Sequence, residues 1–242
     1  MRFLLYNIRY GAGVGSRFHF PLPYAGYLKR STDNYRQITE FVSTVSPDIV
    51  GLVEVDSGSF RTGNCCQAES LAHRLGYDHV VESKYQNGSL PHRVPVLAKQ
   101  GNALLSRQEI LFHQFYFFKQ GVKRLVIEAK TADLTVFLVH LSLTYRNRQS
   151  QLQQLYEIVG QALGPVIVAG DFNVLWGDQE LELFLAATGL RNANNEGHPS
   201  HPSSSPKRQL DYILHSSELV VKEFFIPDVI LSDHVPLVCD FE

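Results

Sequence analysis

The chain has 242 residues, with 22 Lys and Arg against 24 Asp and Glu, and a net charge of −2. It has no overall cationic field to gather nucleic acid indiscriminately, so such a partner would have to meet a local basic patch. At 44% hydrophobic the composition is that of a compact soluble chain large enough to need no staples, and Cys65, Cys66 and Cys239 match neither a disulfide framework nor a zinc spacing.

The opening residues turn polar too early for a signal peptide, and no apolar run approaches about 18 residues. A cytoplasmic location without a transmembrane segment is expected. Residues 2–6 read as a short buried strand with Asn7 at its exit. Residues 11–29 mix Gly and Pro with Phe18, Phe20, Tyr24 and Tyr27, which reads as a long surface loop packed on itself or on a ligand. Ser31, Thr32 and Asp33 offer N-caps for a helix on Tyr35, Ile38, Phe41, Val42 and Val45, stopped by Pro47. The apolar run 48–56 is a strand that carries Glu54 near its far end. A carboxylate in such surroundings costs several kcal/mol unless something compensates it, and a divalent cation is the obvious candidate.

A short helix over 67–75 ends at Gly76, and 77–83 reads as a strand. The polar stretch 84–99 holds Lys84, His92, Arg93 and Lys99, either a substrate contact or a solvated loop. A strand returns over 101–107, followed by the aromatic-rich 110–118. Residues 122–130 and 134–139 form a hairpin about a turn at 131–133, and the second arm delivers His140. Residues 146–163 form an amphipathic helix with Leu152, Leu155, Ile158, Val159 and Leu163 on one face.

The buried strand 166–170 then ends in Asp171 and Asn173. Two apart on extended backbone, these point the same way and set a carboxylate beside an amide at the rim of a sheet. The alternative is a turn in which Asp171 caps the next helix. Asp178 starts a short helix that runs through Ala187 to Gly189. Residues 193–207 are polar and contain His198 and His201 without a metal spacing, and further strands are expected over 209–214, 220–225 and up to Phe241. Asp233 and His234 are adjacent and would face opposite ways on extended backbone. Asp211, buried in the strand 209–214, is therefore the expected partner that fixes the His234 tautomer.

Asn7, Glu54, His140, Asp171, Asn173, Asp211, Asp233 and His234 each end or interrupt an apolar strand. Their segments are Tyr6-Asn7-Ile8-Arg9, Gly51-Leu52-Val53-Glu54-Val55, Gly101-Asn102-Ala103, Val139-His140-Leu141, Gly170-Asp171-Phe172-Asn173, Leu210-Asp211-Tyr212-Ile213 and Ser232-Asp233-His234-Val235-Pro236. In this order the chain resembles the endonuclease/exonuclease/phosphatase superfamily, the DNase I-like proteins.

The resemblance implies an α+β fold, a four-layer αββα sandwich of two mixed β-sheets packed face to face with helices outside, as a single domain over 1–242; the sequence does not set the oligomeric state, and a monomer is the default. It also implies Mg²⁺, with Mn²⁺ as the substitute, and hydrolysis of a phosphodiester by metal-assisted attack of water. Glu54 would be the main metal ligand, Asn7 its neighbour, and Asp233 would complete the metal region. Asp171 would position or activate the water, Asn173 would hold a phosphate oxygen and His140 would donate to the phosphoryl group. His234, oriented by Asp211, would act as acid/base or as a cationic contact, so Asp171 and His234 stay rivals for the water proton. Asn102 and Arg124 would contact the phosphate.

Val53 stands where many relatives have Gln and Val139 where many have Thr, which affects the surroundings and not the proposed ligands. The chemistry agrees independently, because cleaving an anionic ester needs a hard cation on oxygen ligands, donors for developing charge and a base. The substrate stays open between nucleic acid (DNA or RNA) and a phospholipid or small phosphoester. A catalytically inactive binding module is a third reading.

Overall fold

In a computed structural model, which describes residues 1–14, 30–85 and 95–242, alternation along β1 (Arg2–Asn7) sets the layering. Phe3 and Leu5 enter an apolar layer shared by two sheets, whereas Leu4 and Tyr6 face helices. The chain continues through α1 (Thr32–Val45), β2 (Ile49–Asp56), α2 (Gln67–Leu75), β3 (Asp78–Ser83), β4 (Gln100–Ser106), β5 (Phe112–Phe117), β6 (Leu125–Lys130) and β7 (Thr135–His140). It then runs through α3 (Tyr145–Val159), β8 (Val166–Asp171), α4 (Glu182–Thr188), β9 (Arg191–Asn192), β10 (Asp211–His215), β11 (Val221–Phe225) and β12 (Leu237–Phe241).

One six-stranded sheet has the order β11-β12-β1-β2-β4-β3 and the other β5-β6-β7-β8-β10-β9. Each contains one parallel pair, β1 with β2 and β7 with β8, and the remaining pairings are antiparallel. A parallel pair needs a crossover, and α1 and α3 supply it.

Between the sheets Leu5, Val53 and Leu104 meet Ile127, Leu138, Ala169 and Ile213. Outside the first sheet lie Ile38 and Val42 of α1 with Ala68 and Leu71 of α2; outside the second lie Leu152 and Leu155 of α3 with Phe184 of α4. The order helices, sheet, sheet, helices is the four-layer αββα sandwich that the sequence led us to expect. Each buried Leu, Ile or Val contributes about 1.5–3 kcal/mol, against about 0–1 kcal/mol for a surface ion pair. These three apolar layers, not the surface charges, hold the sandwich together.

Several local expectations need correction. Ser31 precedes α1 but makes no side-chain cap, and among the described residues its buried Oγ has no hydrogen-bond partner. Helix α3 stops at Val159, so Leu163, expected on its buried face, is 83% exposed. Asp178 does not cap α4; it accepts a hydrogen bond from the Tyr212 hydroxyl, and a 3-10 turn over 178–180 precedes the helix. Phe18, Phe20, Tyr24, Tyr27, His92 and Arg93 lie outside the described residues. The three cysteines are free, and among the described residues no helix is long and apolar enough to cross a membrane.

Candidate active site

The carboxyl ends of the two parallel pairs bring the polar residues together. Asn7 ends β1, while His140 and Asp171 end β7 and β8 in register with each other. Asp171 Oδ2 accepts a hydrogen bond from Asn7 Nδ2 at 3.1 Å and lies 3.2 Å from His140 Nε2, so this carboxylate ties one sheet to the other. Gly170 makes the approach feasible: its φ is 148°, and a Cβ there would stand 1.9 Å from the Val139 carbonyl oxygen.

Asn173 does not continue the strand. Its φ of 52° is left-handed, so Asp171 and Asn173 do not project in parallel as extended backbone would have them. Instead the Asn173 N–H donates to Asp171 Oδ1 at 3.1 Å, and its Nδ2 donates to the Leu141 carbonyl at 3.0 Å.

Glu54 reaches the same rim through a β-bulge. Val50 and Leu52 face the α1–α2 layer, and continued alternation would drive Glu54 into it. The pairing of β2 with β4 shifts register between Leu52 and Val55, Glu54 takes a φ of 58°, and Val55 fills the apolar place instead. The Glu54 N–H donates to Asn102 Oδ1 at 3.2 Å. Asn102, expected on the phosphate, thus spends its oxygen holding Glu54. Only its Nδ2 stays available to a substrate.

The Glu54 carboxylate lies 3.9 Å from both Lys123 Nζ and His140 Nε2, and Lys123 Nζ also contacts His140 Nε2. Lys123, one residue before Arg124, is the cation of that segment that meets Glu54. Sequence reasoning missed it, because the strand expected over residues 122–130 begins only at Leu125, which leaves Lys123 on irregular backbone where alternation does not say which way a side chain points. Arg124 is half-buried, and its carbonyl accepts from the Phe118 N–H.

His234 Nδ1 lies 2.7 Å from Asp211 Oδ2, the pairing expected from the sequence, and His234 Nε2 lies 3.9 Å from Asp171 Oδ2. Ser200 Oγ donates to the same Asp211 oxygen at 2.6 Å; nothing in the sequence marked Ser200. Asp233 stands on the His234 side of the cluster, with Oδ2 3.5 Å from Arg9 Nε and Oδ1 3.2 Å from Ser232 Oγ. The segment around it is bent rather than extended, so Asp233 and His234 do not face opposite ways.

Burial and charge pull these groups in different directions. Burial favours a neutral Glu54, but Lys123, His140 and Lys84 outweigh it and hold the carboxyl below its usual range. Burial lowers His140, and Lys123 adds to that, so its imidazole is neutral at pH 7. Burial opposes ionisation of Asp171 too, yet attraction to His140, a hydrogen bond from it, and His234 keep it well below the ordinary carboxylate range. His234 is raised to about 10: burial lowers it, but Asp211, its hydrogen bond and Asp171 prevail. Burial pushes Asp211 upward as well, and among the described residues its Oδ1 has no hydrogen-bond partner. Shifts in one direction on both partners mean that the pair retains a proton; facing two carboxylates, His234 is its holder. Beyond Glu54, burial lowers Lys84 to about 8; its Nζ donates to the Tyr10 hydroxyl at 2.7 Å.

The donor chemistry fits a hard divalent ion. Among the described residues no hydrogen bond reaches the Glu54 carboxylate, although its side chain is only 17% exposed. Carboxylate and amide oxygens from Glu54 and Asn7 are the ligands that Mg²⁺ or Mn²⁺ takes.

Residues 4–234 match the Endonuclease/Exonuclease/phosphatase family, and the chain belongs to it. A search of curated proteins finds no match. Among solved structures, the catalytic domain of human Nocturnin with bound sulfate superposes with a TM-score of 0.70 at 24% identity, covering 100% of this chain and 93% of that one. A family protein from Leptotrichia buccalis gives a TM-score of 0.72 at 18% identity, covering 100% and 99%. The mannosyl-6-phosphatase of Bacteroides thetaiotaomicron gives 0.71 at 16% identity, again covering 100% and 99%. These likenesses establish the fold, and family membership places the chain among phosphoesterases, nucleases and phosphatases.

Proposed function

We propose that the protein is a Mg²⁺-dependent phosphodiesterase, nuclease-like on DNA or RNA, that cleaves its substrate by attack of water. The observation that carries this reading is the linked series Asn7–Asp171–His140–Glu54, drawn from both sheets, in which each residue lies within hydrogen-bond or ion-pair reach of the next. When bound at Glu54 and Asn7, the ion supplies a Lewis acid for a phosphoryl oxygen. Asp171, ionised and held by Asn7 and the Asn173 N–H, orients the water and is one candidate for its proton. The other candidate is His234 after loss of its own proton; in its protonated form it serves as a cationic contact or as the acid for the leaving oxygen. Neutral His140 and Lys123 face the developing charge.

Two exposed aromatics come shortly after strands that end in the site. Tyr145 and Trp176 follow the strands that end in His140 and Asp171 and are 54% and 72% exposed. Unpaired bases stack on such faces, which favours single-stranded nucleic acid. The same residues would also seat acyl chains, which is the specific ground for a phospholipid substrate.

Hydrolysis of bis-p-nitrophenyl phosphate with Mg²⁺ or Mn²⁺, and its loss in EDTA, tests the reaction; turnover that survives EDTA overturns it. A panel of plasmid DNA, single-stranded RNA, sphingomyelin and phosphoinositides decides the substrate.

A further inference from the structure

The polar loop 193–207 offered no metal spacing in sequence, yet it delivers His201 to a second group of ligands. His201, Asp233 and His234 present one ligand atom each within 4.8 Å of one another. The His201 and His234 rings stand 4.7 Å apart, tilted by 49°. We propose that these three residues form a second metal site, separate from the Glu54 centre, which takes a zinc-like divalent ion and silences the active site by occupying His234.

The loop is fixed in place before any ion arrives. The Ser203 N–H donates to the Asp233 carbonyl at 2.7 Å, the Val235 N–H donates to the Ser200 carbonyl at 2.9 Å, and His201 pairs its backbone with Arg208 in both directions. Residues 200–203 are thus laced to 233–235, and His201 cannot drift from Asp233 and His234 without breaking that lacing.

The donor set selects the metal. Two imidazoles and one carboxylate suit Zn²⁺ with an open fourth position, whereas Mg²⁺ prefers oxygens throughout. Asp211 behind His234 Nδ1 is the outer carboxylate that orients a ligating imidazole, and Ser200 of the same loop holds that carboxylate. Metal–nitrogen bonds of about 2.0–2.1 Å require the three donor atoms to draw closer than the 4.8 Å within which they now lie. Arg9 now stands 3.5 Å from Asp233; the ion takes its place as countercharge, and Arg9 keeps its bond to the Gly13 carbonyl.

An ion held there would occupy the His234 ring at Nε2, the nitrogen that faces Asp171, because Nδ1 is taken up by Asp211. The imidazole then neither moves a proton nor contacts phosphate. This inhibitory consequence rests on the phosphodiesterase reading, whereas the binding itself does not.

The test uses the full chain stripped with EDTA and desalted. Calorimetric titration with ZnCl₂, paralleled by the visible absorption of Co²⁺, should show one site in wild type that Mg²⁺ does not displace. His201→Ala should weaken it by about 10-fold or more. Zn²⁺ should inhibit Mg²⁺-supported hydrolysis in wild type, and His201→Ala should keep its turnover while needing correspondingly more Zn²⁺. His201→Gln, which keeps most of the side-chain volume, replaces Ala if that variant unfolds. Equal Zn²⁺ affinity with and without His201, or loss of the site in Glu54→Gln instead, overturns the proposal. If no substrate is hydrolysed at all, the phosphodiesterase reading fails, and the calorimetric comparison still decides the zinc site.

Discussion

Asn102 Oδ1 on β4 accepts the backbone N–H of Glu54 at 3.2 Å, so a neighbouring strand pins the residue at which β2 turns left-handed. Asn102→Ala removes that pin without touching the carboxylate. Groups that orient a metal ligand are worth about 10–100-fold in metal affinity. We therefore expect the Mg²⁺ concentration for half-maximal activity to rise by about 10-fold, with turnover at saturating Mg²⁺ nearly retained. An unchanged Mg²⁺ dependence would remove Asn102 from this role.

Glu54, the metal ligand of the proposed reaction, lies 3.9 Å from Lys123 Nζ, and the cations around it hold its carboxyl below the usual range against the effect of burial. Mg²⁺ at about 100 times its Kd should stabilise the wild type by roughly 2.7 kcal/mol, which in a chain of this size raises Tm by about 5–10 °C. Glu54→Gln should lose both this shift and nearly all turnover. Differential scanning calorimetry reads the first result whether or not a substrate is known, and an equal Mg²⁺ shift in both proteins would place the ion elsewhere.

Lys123 contacts His140 and lies 3.9 Å from Glu54, and in the proposed reaction it is the cation that faces the developing charge. Removing one preorganised group that stabilises developing charge costs about 10²–10³ in turnover. Lys123→Met should fall in or just below that range while its far-ultraviolet circular dichroism and Tm stay near wild type. Arg124→Met, altered in parallel, should lose less, and the reverse ranking would restore Arg124 as the phosphate-side residue.

The Asp211–His234 pair predicts a direction for stability against pH. The folded His234 titrates at about 10, above the ordinary value of 6.5 that it has when unfolded. Its contribution is therefore complete below pH 6.5 and fades as pH climbs toward 10. In EDTA, His234→Asn should lower Tm by several degrees at pH 6 and progressively less up to pH 10. A deficit independent of pH would mean that the pair does not hold the proton in the folded protein.

Alternation exposed most of the fold in advance: Phe3 and Leu5 against Leu4 and Tyr6 is a strand pattern, and Gly76 after Leu75 is a helix end, and both stand in the structure. The residues at strand ends were legible for the same reason, since a polar group that interrupts an apolar run has to be accommodated. What escaped is what irregular backbone decides. The bulge at Glu54 and the left-handed turn at Asn173 change where side chains point without changing composition. Lys123, Arg9, Ser200 and His201 sit on segments with no periodicity, so only the folded chain shows which of them turn inward.

The pairing of β12 with β1 also bears on how the protein is made. The strand nearest the carboxyl end inserts between β11 and β1, and Asn7 meets Asp171 across 164 residues. Until β12 is made, β1 has one unpaired flank, and a partly made chain is prone to associate through that open edge.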